Sequence, residues 1–154
     1  MMRNETHLDY FDNAVHDAYA WLDDIVAEAT WDDLSIALYA LRATLHALRD
    51  ELTVEQNALL TAHLPTIIRG IYYEGWKPRP TDTPPTTRDR FLKRIATSLK
   101  HPYNEFDPEE MVQTILKTLS THLPTECKKI QSTLPADLQS LWPASPFKEE
   151  KARL

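Results

Sequence analysis

Apolar residues recur every three or four positions from Leu8 onward, and that spacing predicts one helix after another. Leu8, Phe11, Val15, Ala18, Leu22, Ile25 and Ala29 lie along one stripe of a helix over 8–29, with Asp9, Asp12, Asp17, Asp23, Asp24 and Glu28 off it. Thr30 and Asp33 have capping-box spacing, in which each side chain takes up a free N–H of a first turn. The helix they open carries Leu34, Leu38, Leu41, Leu45 and Leu48. Thr53 and Gln56 repeat the signature before a short helix through Leu59, Leu60 and His63. Pro65 suits a first helical position, where its missing N–H costs nothing. The helix it starts holds Ile67, Ile68, Ile71 and Tyr72 and is expected to end at Gly75, a natural C-cap.

Residues 77–87 break the pattern. Four prolines in KPRPTDTPPTT forbid a helix and restrict each preceding residue, so this stretch reads as an extended linker. The helical period then resumes. Thr87 caps a helix with Phe91, Leu92, Ile95 and Leu99 that stops at His101-Pro102. Asp107-Pro108-Glu109-Glu110 supplies a cap, an N1 proline and acids at the positive end of the next helix dipole. Its stripe is Met111, Ile115, Leu119 and Leu123. Pro124 opens a short helix with Cys127 and Ile130, and Pro135 another with Leu138, Leu141 and Trp142. Residues 144–154 read as a solvated tail. No run alternates with a period of two and no hairpin turn occurs.

These elements predict an all-α fold of about eight helices in a single domain over 8–143. The order long, long, short, short occurs twice, over 8–76 and 88–143. Leu45, Leu48 and Leu52 align with Leu116, Leu119 and Leu123, and Leu64-Pro65 aligns with Leu134-Pro135 after a one-residue deletion. Ile68 falls on Leu138, and Ile71-Tyr72 on Leu141-Trp142. The expectation is a duplicated four-helix unit joined by the proline-rich linker.

Composition narrows function mainly by exclusion. Only two glycines occur, so a phosphate-cradling loop has no material. One cysteine excludes an internal disulfide and a thiolate zinc site, and fits a reducing, cytoplasmic setting. No signal-peptide pattern and no membrane-span length of apolar residues is present. No Glu-x-x-His or His-Glu-x-x-His pair occurs, which removes the ligands of a di-iron bundle and of a zincin. Asp9, Asp12 and His16 share one helix face, but the histidines, including His46 beside Arg42, Arg49 and Asp50, read as solvated rather than as metal or haem ligands. The sequence therefore assigns no catalytic residue, no metal ligand and no cofactor.

Charge is segregated: residues 1–33 hold nine acids and one base, whereas 69–100 hold eight bases and three acids. The net charge of −6 argues against nucleic acid as a partner, so the acidic first helix is expected to face the basic segment, within the molecule or across a dimer. One feature has no counterpart in the second half. Arg69, Tyr73 and Trp76 fall at i, i+4 and i+7, with Tyr72 and Glu74 among them, where the second half has Gln139 and Pro143. Arg, Tyr and Trp dominate binding hot spots, so these five residues form the candidate interaction surface. Anchoring of the linker is the plainer role for the same side chains.

The run LRATLHALRDELTVEQNALLTAHLPTIIRGIYYEGWKP, over 41–78, resembles the signature stretch of the prokaryotic family called domain of unknown function 2267. The resemblance extends over most of 8–143, and the second half is the more degenerate, lacking any equivalent of RGIYYEGW. It implies an all-α, bacterial, cytoplasmic protein and brings no activity, cofactor or catalytic residue with it. The first expectation for function is a non-enzymatic helical interaction protein that binds itself, as a homodimer, or a protein partner. The second is a small-ligand binder or enzyme with a pocket between the halves, where Arg69 holds an anionic group and Tyr72 or Tyr73 supplies a hydroxyl.

Overall fold

The computed structural model describes residues 8–143, so the tail expected at 144–154 lies outside the described residues. Eight α-helices occur: α1 Asp9–Ala29, α2 Leu34–Arg49, α3 Val54–Thr61, α4 Thr66–Tyr72, α5 Arg88–Ser98, α6 Pro108–His122, α7 Pro124–Thr133 and α8 Ala136–Gln139. A single 3₁₀ turn, Tyr103–Glu105, sits between α5 and α6. No strand occurs among the described residues.

Helices α2 and α6 are the apolar centre because each buries a wide arc, with Ile36, Ala37, Ala40 and Ala43 beside the leucines of α2 and Met111 and Val112 beside those of α6. Leu41, Leu45 and Leu48 of α2 and Val112, Ile115, Leu116 and Leu119 of α6 are all buried. Helix α1 lies against α2, α4 and α6; α5 lies against α2 and α6; α3 packs on α7. The 3₁₀ turn ties the second half to the first through rings: Tyr103 meets Tyr39 at 4.6 Å and Phe106 meets Trp31 at 5.9 Å between centroids.

The start signals work locally. Thr53 and Gln56 form a complete capping box, Thr87 accepts from the Arg90 N–H, and Asp107 accepts from the Glu109 N–H ahead of the N1 proline. The aligned Leu64-Pro65 and Leu134-Pro135 junctions have the same backbone, φ −55° and ψ 150° at Pro65 against φ −55° and ψ 149° at Pro135. In both, proline stands one place earlier than expected, as the N-cap.

Two boundaries differ from expectation. Thr30 does not open α2; it closes α1 in the left-handed region, with φ 57° and its N–H on the Val26 carbonyl, and Asp33 alone caps α2 through the Ser35 N–H. Helix α4 ends at Tyr72 rather than Gly75, and the chain turns away through Gly75 at φ 65°.

The largest correction concerns α1. Only its later turns bury apolar side chains, namely Trp21, Leu22 and Ile25. Leu8, Phe11 and Val15, expected in the core, are 59%, 61% and 46% exposed, and Tyr10 and Tyr19 are exposed beside them. Periodicity identifies a face correctly, but only tertiary structure decides whether anything covers it.

Within the described residues the basic segment pairs with α2 and α6 and their neighbours, through Arg94–Asp50, Arg88–Glu109 and Arg79–Glu51. Two acids of α1 pair with α6, through Glu28–Lys117 at 2.5 Å and Asp24–His122 at 2.8 Å. The His122 ring also stacks on Trp21, with centroids 4.3 Å apart.

Candidate functional site

The candidate residues 69–76 sit at the corner where α3, α4 and the end of α2 meet, and most of their polar atoms turn inward. The Arg69 guanidinium donates to the carbonyls of Thr61 at 2.9 Å, Leu64 at 3.0 Å and Ala62 at 3.3 Å. These are carbonyls at and beyond the C-terminus of α3, left without helical partners, and a cation there also suits the helix dipole. The Tyr73 hydroxyl bonds the Thr61 hydroxyl at 2.9 Å. Tyr72 is fully buried and its hydroxyl donates to the Asn57 side-chain oxygen; burial pushes the phenol far above its ordinary range. Asn57 in turn donates to the carbonyls of Arg49 and Leu52. Trp76 is half-buried with its ring edge-on to Tyr73 at 5.3 Å. Glu74 is exposed and accepts from Arg42 Nε at 3.2 Å.

A second set of residues completes this corner from α2. Arg42, His46, Arg49 and Asp50 lie at i, i+4, i+7 and i+8, one helical stripe. The sequence suggests a solvated face, yet Arg49 is buried and His46 half-buried. Arg49 Nη1 donates to the Tyr72 carbonyl at 2.8 Å and the Glu74 carbonyl at 2.6 Å, while Nε donates to Asp50 at 3.0 Å. His46 Nε2 meets the Ile71 carbonyl at 2.7 Å. A carbonyl only accepts, so Nε2 carries the proton. Burial, and then the Arg49 charge, hold His46 below its ordinary pKa of 6.5 against the opposing pull of the Ile71 bond. The signal that could have revealed these residues was present: four polar groups at one-stripe spacing inside the same motif as Arg69 and Tyr72.

Beyond this corner the stripe faces α5 across a cleft of about 290 Å³, lined by Tyr39, Arg42, Ala43, His46, Ala47, Arg49 and Asp50 of α2 and its end, and by Arg94, Ser98 and Leu99 of α5 and its end. Arg69, Tyr72 and Tyr73, the residues expected to line a ligand pocket, do not line this cleft. Asp50 bridges the two sides: one oxygen accepts from Arg49 and the other from Arg94.

Among the described residues no group of three His, Cys, Asp or Glu is arranged to hold a metal, and no helix is long and apolar enough to cross a membrane. Cys127 is buried and its thiol is pushed up to about 12, which leaves it without nucleophilic character near neutrality. No curated protein matches the chain. A family model described as an uncharacterized conserved protein, DUF2267, matches residues 18–141, and it spans the whole α2–α4 corner and the cleft. The chain belongs to the DUF2267 family.

Proposed function

We propose that the protein is a non-enzymatic helical interaction protein, binding a protein partner or a second copy of itself. The observation that carries this is the apolar stripe at the start of α1, where Leu8, Phe11, Val15 and Tyr19 are all exposed within about three turns and the Tyr10 ring leans on Phe11. Scattered apolar residues at a surface are ordinary, but four on one helical stripe are typical of a docking element. The fold does not demand them, because the core takes only the later turns of α1, and the family match begins at residue 18.

The surface anticipated at Arg69, Tyr72, Tyr73, Glu74 and Trp76 takes a supporting place in this proposal. Arg69, Tyr72 and Tyr73 spend their polar atoms inside the molecule, which suits residues that hold the corner. A cytoplasmic setting belongs to the same proposal and is supported by the lone buried cysteine. Descent of the two halves from one four-helix unit is supported by the shared Leu-Pro backbone and by burial at paired positions, Tyr72 with Trp142 and Ile68 with Leu138. The net charge of −6 disfavours nucleic acid.

The test is light scattering across a concentration series, with affinity capture, on wild type and a Phe11→Ser/Tyr19→Ser variant. The expected result is self-association or partner capture that the substitutions abolish. A strictly monomeric wild type that captures nothing the variant does not capture refutes the proposal.

A further inference from the structure

The cleft between α2 and α5 is built differently from the rest of the core. Its apolar lining on α2 is Ala43 and Ala47, both buried, at a contact that leucines would otherwise fill. Small side chains there leave space where two helices meet, and the space is rimmed by charge.

Arg42, Arg49 and Arg94 line it beside one lining carboxylate, Asp50, and Glu74, just outside the lining, pairs with Arg42. Asp50 is already committed on both oxygens, and Arg49 is committed to Asp50 and to the Tyr72 and Glu74 carbonyls. Two guanidinium groups retain capacity. Arg42 uses only Nε, on Glu74, and its carbon lies 5.7 Å from the Tyr39 ring centroid, which fixes its position. Arg94 uses only Nη2, on Asp50, and its side chain is half exposed. His46 spends its Nε2 proton on the Ile71 carbonyl, so the unused N–H donors facing the cleft belong to the arginines.

We infer that this cleft binds a small oxyanion ligand, a phosphate or carboxylate group, held between Arg42 on α2 and Arg94 on α5. Guanidinium forks match either anion in two-point geometry. A volume of about 290 Å³ admits a small oxyanion such as inorganic phosphate or a tricarboxylate. Because both arginines are partly exposed, binding weakens with salt. Ligand capture would also brace α2 of the first half against α5 of the second. The site shares no residue with the exposed face of α1, so the two proposals stand or fall separately.

The experiment is a thermal-shift and calorimetric titration at low ionic strength with inorganic phosphate in one arm and citrate in the other, against chloride at matched ionic strength. The two arms distinguish a phosphate from a carboxylate ligand. The expected result is a saturable rise in Tm with one of them. Arg42→Gln and Arg94→Gln each weaken that response at least tenfold, whereas Lys93→Gln, exposed on α5 and outside the cleft lining, leaves it unchanged. Circular dichroism confirms that the variants are folded, and amide chemical-shift changes in wild type gather at Ala43, Ala47 and Ser98. No saturable rise with either anion overturns the inference. So does a rise that survives both substitutions, or chemical-shift changes centred elsewhere.

Discussion

Arg49 on α2 donates through Nη1 to the main-chain carbonyl of Tyr72, the last residue of α4, at 2.8 Å. A buried guanidinium thereby closes a helix end 23 residues away in sequence, and the same nitrogen reaches the Glu74 carbonyl at 2.6 Å. The α2–α4 corner is held by a cation on backbone oxygens rather than by apolar packing alone.

Removing that cation strands two carbonyls and takes one of its two arginine partners from the Asp50 carboxylate. Arg49→Ala is expected to lower unfolding free energy by about 3 kcal/mol, in the range for breaking a buried charge-assisted network. Arg49→Lys restores little, because one ammonium cannot reproduce the fork that spans Asp50 and two carbonyls. Urea denaturation of the three proteins checks both statements.

The Tyr72–Asn57 bond gives a finer test. Tyr72→Phe leaves the buried Asn57 oxygen without its donor and is expected to cost about 1–2 kcal/mol. Asn57→Ala also frees the carbonyls of Arg49 and Leu52. A double-mutant cycle should show the pair coupled, so additive losses would remove the bond from the account.

Helix α1 should respond unequally along its length. Ile25→Ala empties a fully buried site and is expected to cost about 3 kcal/mol. Phe11→Ala, at 61% exposure, should change stability by no more than about 0.5 kcal/mol at a concentration where the protein is monomeric. Thermal denaturation of both variants decides it; a large loss for Phe11→Ala would mean that the first turns are core after all.

Thr30 carries a branched side chain at φ 57°, where glycine is at ease. Thr30→Gly is expected to stabilise the protein by about 0.5–1 kcal/mol despite losing the hydroxyl bond to the Ala29 carbonyl. A rise in Tm is the readout.

His46 makes stability depend on pH. Its folded pKa lies below the ordinary 6.5, so near and below that value the unfolded chain binds more protons than the folded one. Stability from this group is complete above pH 6.5 and is lost as pH falls toward the folded pKa. Glu51 works in the opposite sense, because burial raises its pKa above the ordinary 4.5. The clean measurement is therefore the stability of wild type minus that of His46→Gln, which should fall as pH drops from 6.5 to 5.

The sequence by itself determined the helices, most of their start signals and the fold class. Thr53 with Gln56, Thr87, and Asp107 with Pro108 act on N–H groups within one turn, so local chemistry suffices to place them. Tertiary structure decided what each face meets. The stripe of Leu8, Phe11 and Val15 is indistinguishable by spacing from that of Leu22 and Ile25, yet one is exposed and the other buried, because among the described residues the core takes up only the later turns of α1. Likewise Arg42, His46, Arg49 and Asp50 look solvated on a helical wheel. Their partners are carbonyls and side chains on α4, α5 and the turn after Tyr72, and only the folded chain brings those within hydrogen-bond reach.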